Sequence, residues 1–564
     1  MSARMAATGS LSPDSYVNPS LPLYVMAGPI AVQDALARAG ALGGHLADPL
    51  LLGRALSALA GAAAVLVLGL AAWRAHPPLG ALPAWLLAMF PGFVNLCHFA
   101  TPEPWLLLGT AATLALAVAH AEGRAPATLL GLALGLTAST KYTAAALVVP
   151  VVAAVWLRDG EPHERPGTPW VALLGAAALA AGAWLLLGGD AAIAARLRMD
   201  DARLLHPESA ARFMRRAGLA GAAAGAFALG LAGATASGWR GGARLARRAL
   251  AVVAVSALAG FVLGSPLALA EPRRLLSGLA FNDQTRFEYK GLVGEGTSFG
   301  AYAGLLVDAA TGPALLAALA GLAIAAARGR RGDRAALVVA LAAAAPFLLV
   351  AASAHRAMRF LAPVLPPFAW LAALGLSAVR ERRTRRIAAA LVLARAALAA
   401  LLVVRLFHVD SRRLAARWIE RNVPAGTTVD LIANLPGYAP ALPPGRTLRV
   451  VPTLSREMAP AERFREAAAR YPAEASEWLV LTASYYERFL DHPDQQPERA
   501  AFFRDLLGGK GGFDVVARFR QQGWLRPAAE FVDPEIVVLR RKPRDQGRPY
   551  GTEPRERPTP RSGT

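Results

Sequence analysis

Four charged side chains that could do chemistry lie in three short polar stretches between long apolar blocks. Glu103 lies in residues 98–105 (HFATPEPW), where a proline on each side of it restricts the backbone. A carboxylate held there can act as a general base, bind a metal ion or accept a hydrogen bond from a sugar hydroxyl. The alternative interpretation is a solvated acid at a helix start, where negative charge is favoured.

Lys141 separates two apolar segments, 126–139 and 142–157, that are each short for a membrane crossing. A lysine at membrane depth is costly and often functional, and an ammonium near a helix start suits a lipid-linked phosphate. Because the chain uses Arg almost everywhere else, the choice of Lys favours a role for a compact ammonium. The alternative is an interfacial lysine whose ammonium reaches the water.

Arg356 and Arg359 lie three residues apart, on one face of a predicted helix end. Such a pair could bind a phosphate or diphosphate, or it could simply anchor the helix at the interface. Residues 282–291 form a fourth polar stretch that is rich in aromatic side chains, which we interpret as a loop. From these stretches we predict an acceptor cleft lined by His98, Asp283, Tyr289 and His355.

Several classes of protein have no support in the sequence. It contains no phosphate-binding loop, so ATP-driven transport is not supported. It also contains no nucleophile elbow and no zinc-protease helix. The single cysteine, Cys97, excludes an intrachain disulfide and any metal site built on cysteines. One acidic loop is too little to infer bound Mg²⁺ or Mn²⁺, so no metal ligands are assigned and the cofactor is left open.

The elements that must position these residues are membrane helices. The 564 residues are 55% hydrophobic and only 18% charged, and their mean hydropathy is +0.37. The apolar residues form blocks of about 16–24 without period-two alternation, which fits helices that cross a bilayer rather than barrel strands. We predict an all-α polytopic bundle of roughly ten to twelve spans with a small C-terminal α/β domain. The predicted spans are residues 51–72, 79–97, 104–121, 126–139, 142–157, 168–187, 217–237, 249–270, 312–327, 335–353, 360–379 and 387–406.

The net charge of +21 does not indicate nucleic-acid binding, because the arginines lie in short links between apolar blocks. Four of these links fall on one side, which should be the cytoplasm, while the polar stretches with Glu103, Lys141 and Arg359 fall on the other. The link 188–216 is also basic but is counted on the outer side, so the topology there is open. The four basic links are 158–165, 240–248, 328–334 and 380–386.

Four regions follow from this pattern. Residues 1–48 are predicted to be an outer-surface segment whose stretch 20–38 forms a surface or partly inserted helix. Residues 49–406 are the transmembrane domain, and 407–542 are an extracytoplasmic α/β domain with strands near 427–432, 478–482 and 535–540. The tail, 543–564, is basic and rich in proline and glycine, which predicts disorder.

Several motifs, in this order, resemble those of GT-C type membrane glycosyltransferases, in particular the bacterial family related to dolichyl-phosphate-mannose protein mannosyltransferases and the lipid A aminoarabinose transferase. Each motif is weak alone, but their order and spacing cover most of the chain. They are residues 9–13 (GSLSP), 16–24 (YVNPSLPLY), 53–57 (GRALS), 101–103 (TPE), 131–142 (GLALGLTASTKY), 264–266 (GSP), 359–363 (RFLAP) and 418–426 (WIERNVPAG).

The resemblance implies many helices with an external cleft, a polyprenyl-phosphate sugar as donor, and a lipid, glycan or protein acceptor on the non-cytoplasmic side of a bacterial inner membrane. Glu103 would match the acidic residue of the second outer loop, and Lys141 the basic residue that meets the donor phosphate. Arg356 and Arg359 would match the basic outer end of a late span.

One departure concerns the N-terminus. Members of this group carry a first span and an outer loop with an acidic residue before the GSLSP stretch, whereas this sequence begins almost at that stretch. We therefore expect the reading frame to start upstream of Met1, which the upstream DNA would test. Asp14, in the turn SPDS, is the candidate substitute for the missing acid.

The leading hypothesis for function is therefore sugar transfer from a lipid phosphate, with inversion at the sugar. A transporter or flippase is an alternative, which predicts internal repeats and ionisable residues at the bilayer midplane. A non-catalytic subunit for assembly of envelope polysaccharide is a third, because the first acidic loop is missing.

Overall fold

The structure is a computed structural model that describes residues 1–13, 16–158, 180, 183, 213–216, 218, 242–285, 288–289, 292–293, 298–433, 438–451, 454, 461–520, 529 and 531–543. The chain divides into two compact units. The first unit is Met1–His408 with Gln522–Val532, and the second is Val409–Gln521 with Asp533–Thr564.

The described part of the first unit is built of helices, apart from a two-stranded hairpin of β1 (Glu288–Tyr289) and β2 (Leu292–Val293). The helices are α1 (Ser2–Thr8), α2 (Leu21–Arg38), α3 (Pro49–Ala75), α4 (Leu82–Met89), α5 (Pro91–Cys97), α6 (Glu103–Ala121), α7 (Ala127–Ala138), α8 (Val148–Leu157), α9 (Gly242–Gly264), α10 (Pro272–Thr285), α11 (Phe299–Ala310), α12 (Gly312–Gly329), α13 (Arg334–Ala351), α14 (Leu365–Ser377) and α15 (Arg382–His408).

Five of the described helices are long and apolar enough to cross a membrane: α3, α6, α12, α13 and the stretch 382–422 that begins with α15. Shorter apolar helices include α7, α9, α11 and α14. Together with the C-terminal sheet, they confirm the predicted polytopic helical membrane fold with a C-terminal α/β domain. The predicted spans 168–187 and 217–237 and the link 188–216 lie largely outside the described residues, as does nearly all of the tail 543–564.

Prolines account for several differences from the predicted spans. The segment 79–97 is two helices, α4 and α5, because Pro91 cannot donate a helical hydrogen bond. The span predicted over 249–270 ends at Gly264, just before Ser265 and Pro266. Pro363 likewise precedes the start of α14 at Leu365, which follows a short 3₁₀ turn at Met358–Leu361.

Helices α10 and α11 were not among the predicted elements. Helix α11 is short, and α10 continues through Asn282 and Asp283, where we expected a loop. A tertiary contact supports this end of α10, since the Asn282 amide donates to the Val17 carbonyl at 2.6 Å and to Gly278 at 2.8 Å. Helix α10 is polar and lacks the long apolar run from which the other helices were predicted, so tertiary contacts of this kind decide its structure.

Glycines allow the backbones of neighbouring helices to approach closely, as is common in membrane bundles. Helix α7 packs on α9, and a Cβ built on Gly135 would lie 1.9 Å from the Ala257 carbonyl oxygen. Helix α12 packs on α14, and a Cβ on Gly321 would lie 1.8 Å from the Leu371 oxygen. The first of these contacts fixes the end of α7, which leads directly into Lys141.

The second unit is an α/β domain around a five-stranded sheet in the order β4-β3-β5-β7-β6. Strand β3 pairs in parallel with β4 and β5, whereas β7 pairs antiparallel with β5 and β6. Its described elements are α16 (Ser411–Asn422), β3 (Thr428–Leu431), β4 (Thr447–Val450), α17 (Ala461–Glu474), β5 (Trp478–Thr482), α18 (Ala483–Asp491), α19 (Pro497–Leu507), β6 (Phe513–Phe519) and β7 (Ile536–Arg541).

The buried carboxylate of Asp430 links β3 to the edge strand β4 and to neighbouring side chains. Asp430 on β3 accepts two hydrogen bonds from the Arg449 guanidinium, both at 2.7 Å. It also accepts from the Tyr471 hydroxyl at 3.0 Å and from the backbone and side chain of Ser476. Burial opposes ionisation of Asp430, but Arg449 and the other donors outweigh it and hold the pKa of this carboxyl below its usual value.

Candidate functional site

Two helix ends bring together the predicted acid and the predicted ammonium. Glu103 is the first residue of α6, and Lys141 lies in extended backbone (φ −161°, ψ 137°) between α7 and a 3₁₀ segment, Tyr142–Leu147. The Lys141 Nζ donates to the Glu103 Oε1 at 2.5 Å, and the two residues are only 7% and 5% exposed. They form a buried ion pair in which each charge offsets the cost of burying the other.

An aromatic ring joins this pair to the predicted arginine stretch. The Lys141 Nζ lies 4.9 Å from the centre of the Phe360 ring, and the Arg359 guanidinium lies 5.3 Å from the same ring. His355 packs edge-on against Phe360, with the ring centres 4.8 Å apart. Phe360 therefore has an ammonium, a guanidinium and an imidazole around it, in contacts that favour cations.

Arg356 has a different environment from Arg359. Its Nε donates to the hydroxyl of Ser298, just before α11, at 3.2 Å. The hydroxyl of Tyr302, on α11, donates to the His355 carbonyl at 2.7 Å. Helix α11 thus fixes the backbone that carries both arginines. Arg359 contacts the Phe360 ring, whereas Arg356 contacts Ser298.

A second aromatic cluster extends from Arg359 to His98. The guanidinium of Arg359 lies 5.1 Å from the ring of Phe531, whose centre is 5.8 Å from Phe99. Phe99 also contacts Phe407 at 5.4 Å, and Phe407 stacks on the imidazole of His98 at 4.4 Å. The Glu103–Lys141 pair is therefore connected to His98 through a continuous series of side-chain contacts within the first unit.

The N-terminal stretch passes beside the same helix ends. The Tyr142 hydroxyl donates to the Tyr16 carbonyl at 2.9 Å, and the backbone N–H of Leu21 donates to the Ser139 carbonyl at 3.1 Å. The Ser20 N–H donates to the Ser265 hydroxyl at 3.0 Å. Three of the motifs identified in the sequence, 16–24, 131–142 and 264–266, therefore meet next to Lys141.

Not every predicted site residue joins this arrangement. Asp283 pairs with Arg216 at 2.7 Å, and no described contact links it to the Glu103–Lys141 pair. Tyr289 lies in β1, but its side chain is outside the described part of the chain, and Asp14 lies wholly outside it. In the ranges that the structure describes, no cluster of three or more His, Cys, Asp or Glu side chains could hold a metal ion.

Sequence reasoning missed Phe99, Phe360, Phe407 and Phe531, although these rings connect the charged groups. Each lies in or beside an apolar segment, where a phenylalanine usually indicates only a buried core residue. Phe531 comes from the far end of the chain and has a backbone φ of 64°, which non-glycine residues rarely adopt. Its contact with Arg359 had no signal in the sequence.

Residues of two of the four basic links lie at the opposite end of α6. The Arg334 Nη1 donates to the carbonyl of Ala121 at 3.3 Å, and Arg158 reaches the His120 imidazole at 3.2 Å. With 19 residues, α6 separates these groups from Glu103 by about 28 Å at 1.5 Å per residue. The acid–ammonium pair and two of the predicted cytoplasmic links thus occupy opposite ends of one helix.

The sequence around the pair matches the profile of one known family, in agreement with the resemblance predicted from the motifs. Residues 45–158, which include His98, Glu103 and Lys141, match the profile of the family described as dolichyl-phosphate-mannose-protein mannosyltransferase. No functionally curated protein matches the chain by sequence.

Two solved structures are similar in chain path. One is the archaeal oligosaccharyltransferase AglB from Archaeoglobus fulgidus, in complex with an inhibitory peptide and a dolichol-phosphate, with 14% identity and a TM-score of 0.45. The match covers 87% of this chain and 66% of AglB, slightly under two thirds of its length. The other is ArnT from Cupriavidus metallidurans bound to undecaprenyl phosphate, with 14% identity, a TM-score of 0.42, and coverage of 95% of this chain and 92% of ArnT.

Proposed function

We propose that the protein transfers a sugar from a polyprenyl-phosphate-linked donor to an acceptor on the non-cytoplasmic side of the membrane. The observation that carries this proposal is the convergence of Lys141 and Arg359 on one ring, Phe360, beside the buried carboxylate of Glu103. The family match over residues 45–158, whose description names a dolichyl-phosphate mannose donor, supports a lipid phosphate as the leaving group.

The two cations suit the chemistry of the departing lipid phosphate. As the bond between the sugar and the phosphate oxygen breaks, negative charge grows on that oxygen, and fixed cations stabilise it. Lys141 lies at the start of a helical segment, where an anion is also favoured by the backbone N–H groups. Arg359 can bind phosphate oxygens through two N–H groups, and Arg356 extends the same basic stretch.

In this proposal Glu103 fixes the position of the Lys141 ammonium. Its Oε1 is engaged by Lys141 at 2.5 Å, so in the resting state it holds the ammonium at the site where the phosphate will bind. A buried lysine without this partner would be costly, and its side chain would lose its fixed direction. Glu103 therefore positions Lys141 before the donor arrives.

The location of the reaction follows from the charge distribution in the chain. The Arg-rich links that contain Arg158 and Arg334 lie at the far end of α6 and favour the cytoplasm. The Glu103–Lys141 pair would then face the opposite side, which is the side we propose for the acceptor. We further propose the bacterial inner membrane as the location, with the second unit outside the cytoplasm, and a lipid, glycan or protein as acceptor.

A transfer assay tests the proposal. Membranes that contain the protein are incubated with polyprenyl-phosphate sugar labelled in the sugar, and label that leaves the lipid for an acceptor is measured. We expect Lys141→Ala and Arg359→Ala to reduce transfer at least tenfold, while Arg470→Ala, which removes an exposed guanidinium from the second unit, retains it. Transfer that is equal in all four proteins would contradict the site, and movement of intact donor without transfer would favour a flippase.

A further inference from the structure

His98 has a defined proton arrangement. Its Nδ1 lies 2.7 Å from the carbonyl oxygen of Val94, one turn earlier on α5. A carbonyl oxygen can only accept, so Nδ1 carries the proton and donates it. In the neutral ring Nε2 is then an unprotonated acceptor, and among the described residues nothing bonds to it.

The direction of the imidazole is also fixed. The ring stacks on Phe407 with an angle of 17° between the planes, and the side chain is half-buried. The stack and the bond to Val94 together restrict both side-chain torsions of His98. A base that is held in one orientation loses little entropy when it meets its substrate.

The carboxylate predicted to act as base is already engaged. Glu103 is buried, and its Oε1 already accepts a hydrogen bond from the Lys141 Nζ at 2.5 Å. His355 packs on Phe360 beside Lys141 and Arg359, on the side proposed for the phosphate. His98 lies at the other end of the aromatic series, separated from Arg359 by Phe531, Phe99 and Phe407.

We propose that Nε2 of His98 is the general base that takes the proton of an acceptor hydroxyl, an assignment that rests on the proposed function. The acceptor oxygen forms a bond to the anomeric carbon as the bond from that carbon to the phosphate oxygen breaks. The electron pair of the broken bond leaves with the lipid phosphate, next to Lys141 and Arg359. The proton moves from the hydroxyl to Nε2, and water removes it afterwards.

The decisive variant is His98→Asn. The amide nitrogen of asparagine can take the place of Nδ1 and donate to the Val94 carbonyl, but the residue offers no base at the position of Nε2. We expect transfer to fall by about 10²–10⁴-fold, the usual contribution of a general base, with polyprenyl-phosphate binding unchanged. Added imidazole should restore part of the activity.

The outcomes separate the two proposals. If His98→Asn transfers sugar within about threefold of the wild type, His98 is not the base, while the proposed function stands. If the wild-type protein binds no polyprenyl phosphate and transfers no sugar, both proposals fall. If His98→Asn loses both transfer and polyprenyl-phosphate binding, the role of His98 is structural and the base assignment is wrong.

Discussion

Lys141 and Glu103 are 38 residues apart in the chain, yet their side chains meet at 2.5 Å inside the helical unit. The contact joins the start of α6 to the chain that leaves α7. Because both groups are buried, removing either one leaves an uncompensated charge, which typically costs about 3–5 kcal/mol. The pair therefore contributes both to the stability of the fold and to the proposed site.

A double-mutant cycle separates these two contributions. We expect Lys141→Met and Glu103→Gln each to lower the thermal midpoint of the detergent-solubilised protein. The double variant should recover much of that loss, because no unpaired charge remains. Sugar transfer should stay low in all three, and recovery of transfer in the double variant would argue that the pair is purely structural.

Phe360 is expected to affect the donor rather than the fold. Phe360→Leu keeps an apolar side chain but removes the ring from Lys141 and Arg359, a loss of about 0.5–2 kcal/mol. Initial rates against donor concentration should show a higher KM, while Phe360→Tyr, which keeps the ring, should remain close to the wild type. Equal KM values for the Leu and Tyr variants would show that the ring does not orient the cations.

Close packing of α7 on α9 should be needed to keep Lys141 in place. Gly135→Ala would put a methyl group 1.9 Å from the Ala257 oxygen, and overpacking of this kind costs about 1–3 kcal/mol. We expect a lower thermal midpoint and weaker transfer. The matched control is Gly304→Ala in α11, where nothing lies within 4 Å of the added atom, and a similar loss in that variant would refute the packing argument.

The second unit should have its own acid sensitivity. The pKa of Asp430 is lowered in the folded state, so its stabilising effect is present above the unfolded value of about 3.9 and is lost as the pH falls through the lower folded value. Asp430→Asn should cost about 1.5–3 kcal/mol near neutral pH, because it removes charged hydrogen bonds. Proteolysis of the full chain across pH would measure this, and an acid transition that the substitution leaves unchanged would exclude Asp430 as its source.

The sequence was informative where one property dominates a segment. Long apolar runs predicted α3, α6, α12, α13 and α15, and rare charges between such runs pointed to Glu103, Lys141 and Arg359. It was uninformative where neighbours decide the outcome. Helix α10 depends on the bond from Asn282 to Val17, and the place of Phe531 beside Arg359 depends on a residue from the other end of the chain.

Binding of sugar-free polyprenyl phosphate to the purified protein tests the central claim most directly, because it isolates the leaving group from the acceptor. We predict that Lys141→Ala and Arg359→Ala each weaken this binding at least tenfold, whereas Arg470→Ala leaves it unchanged. Equal affinity in all of these proteins would contradict the claim that the two cations around Phe360 form the phosphate site.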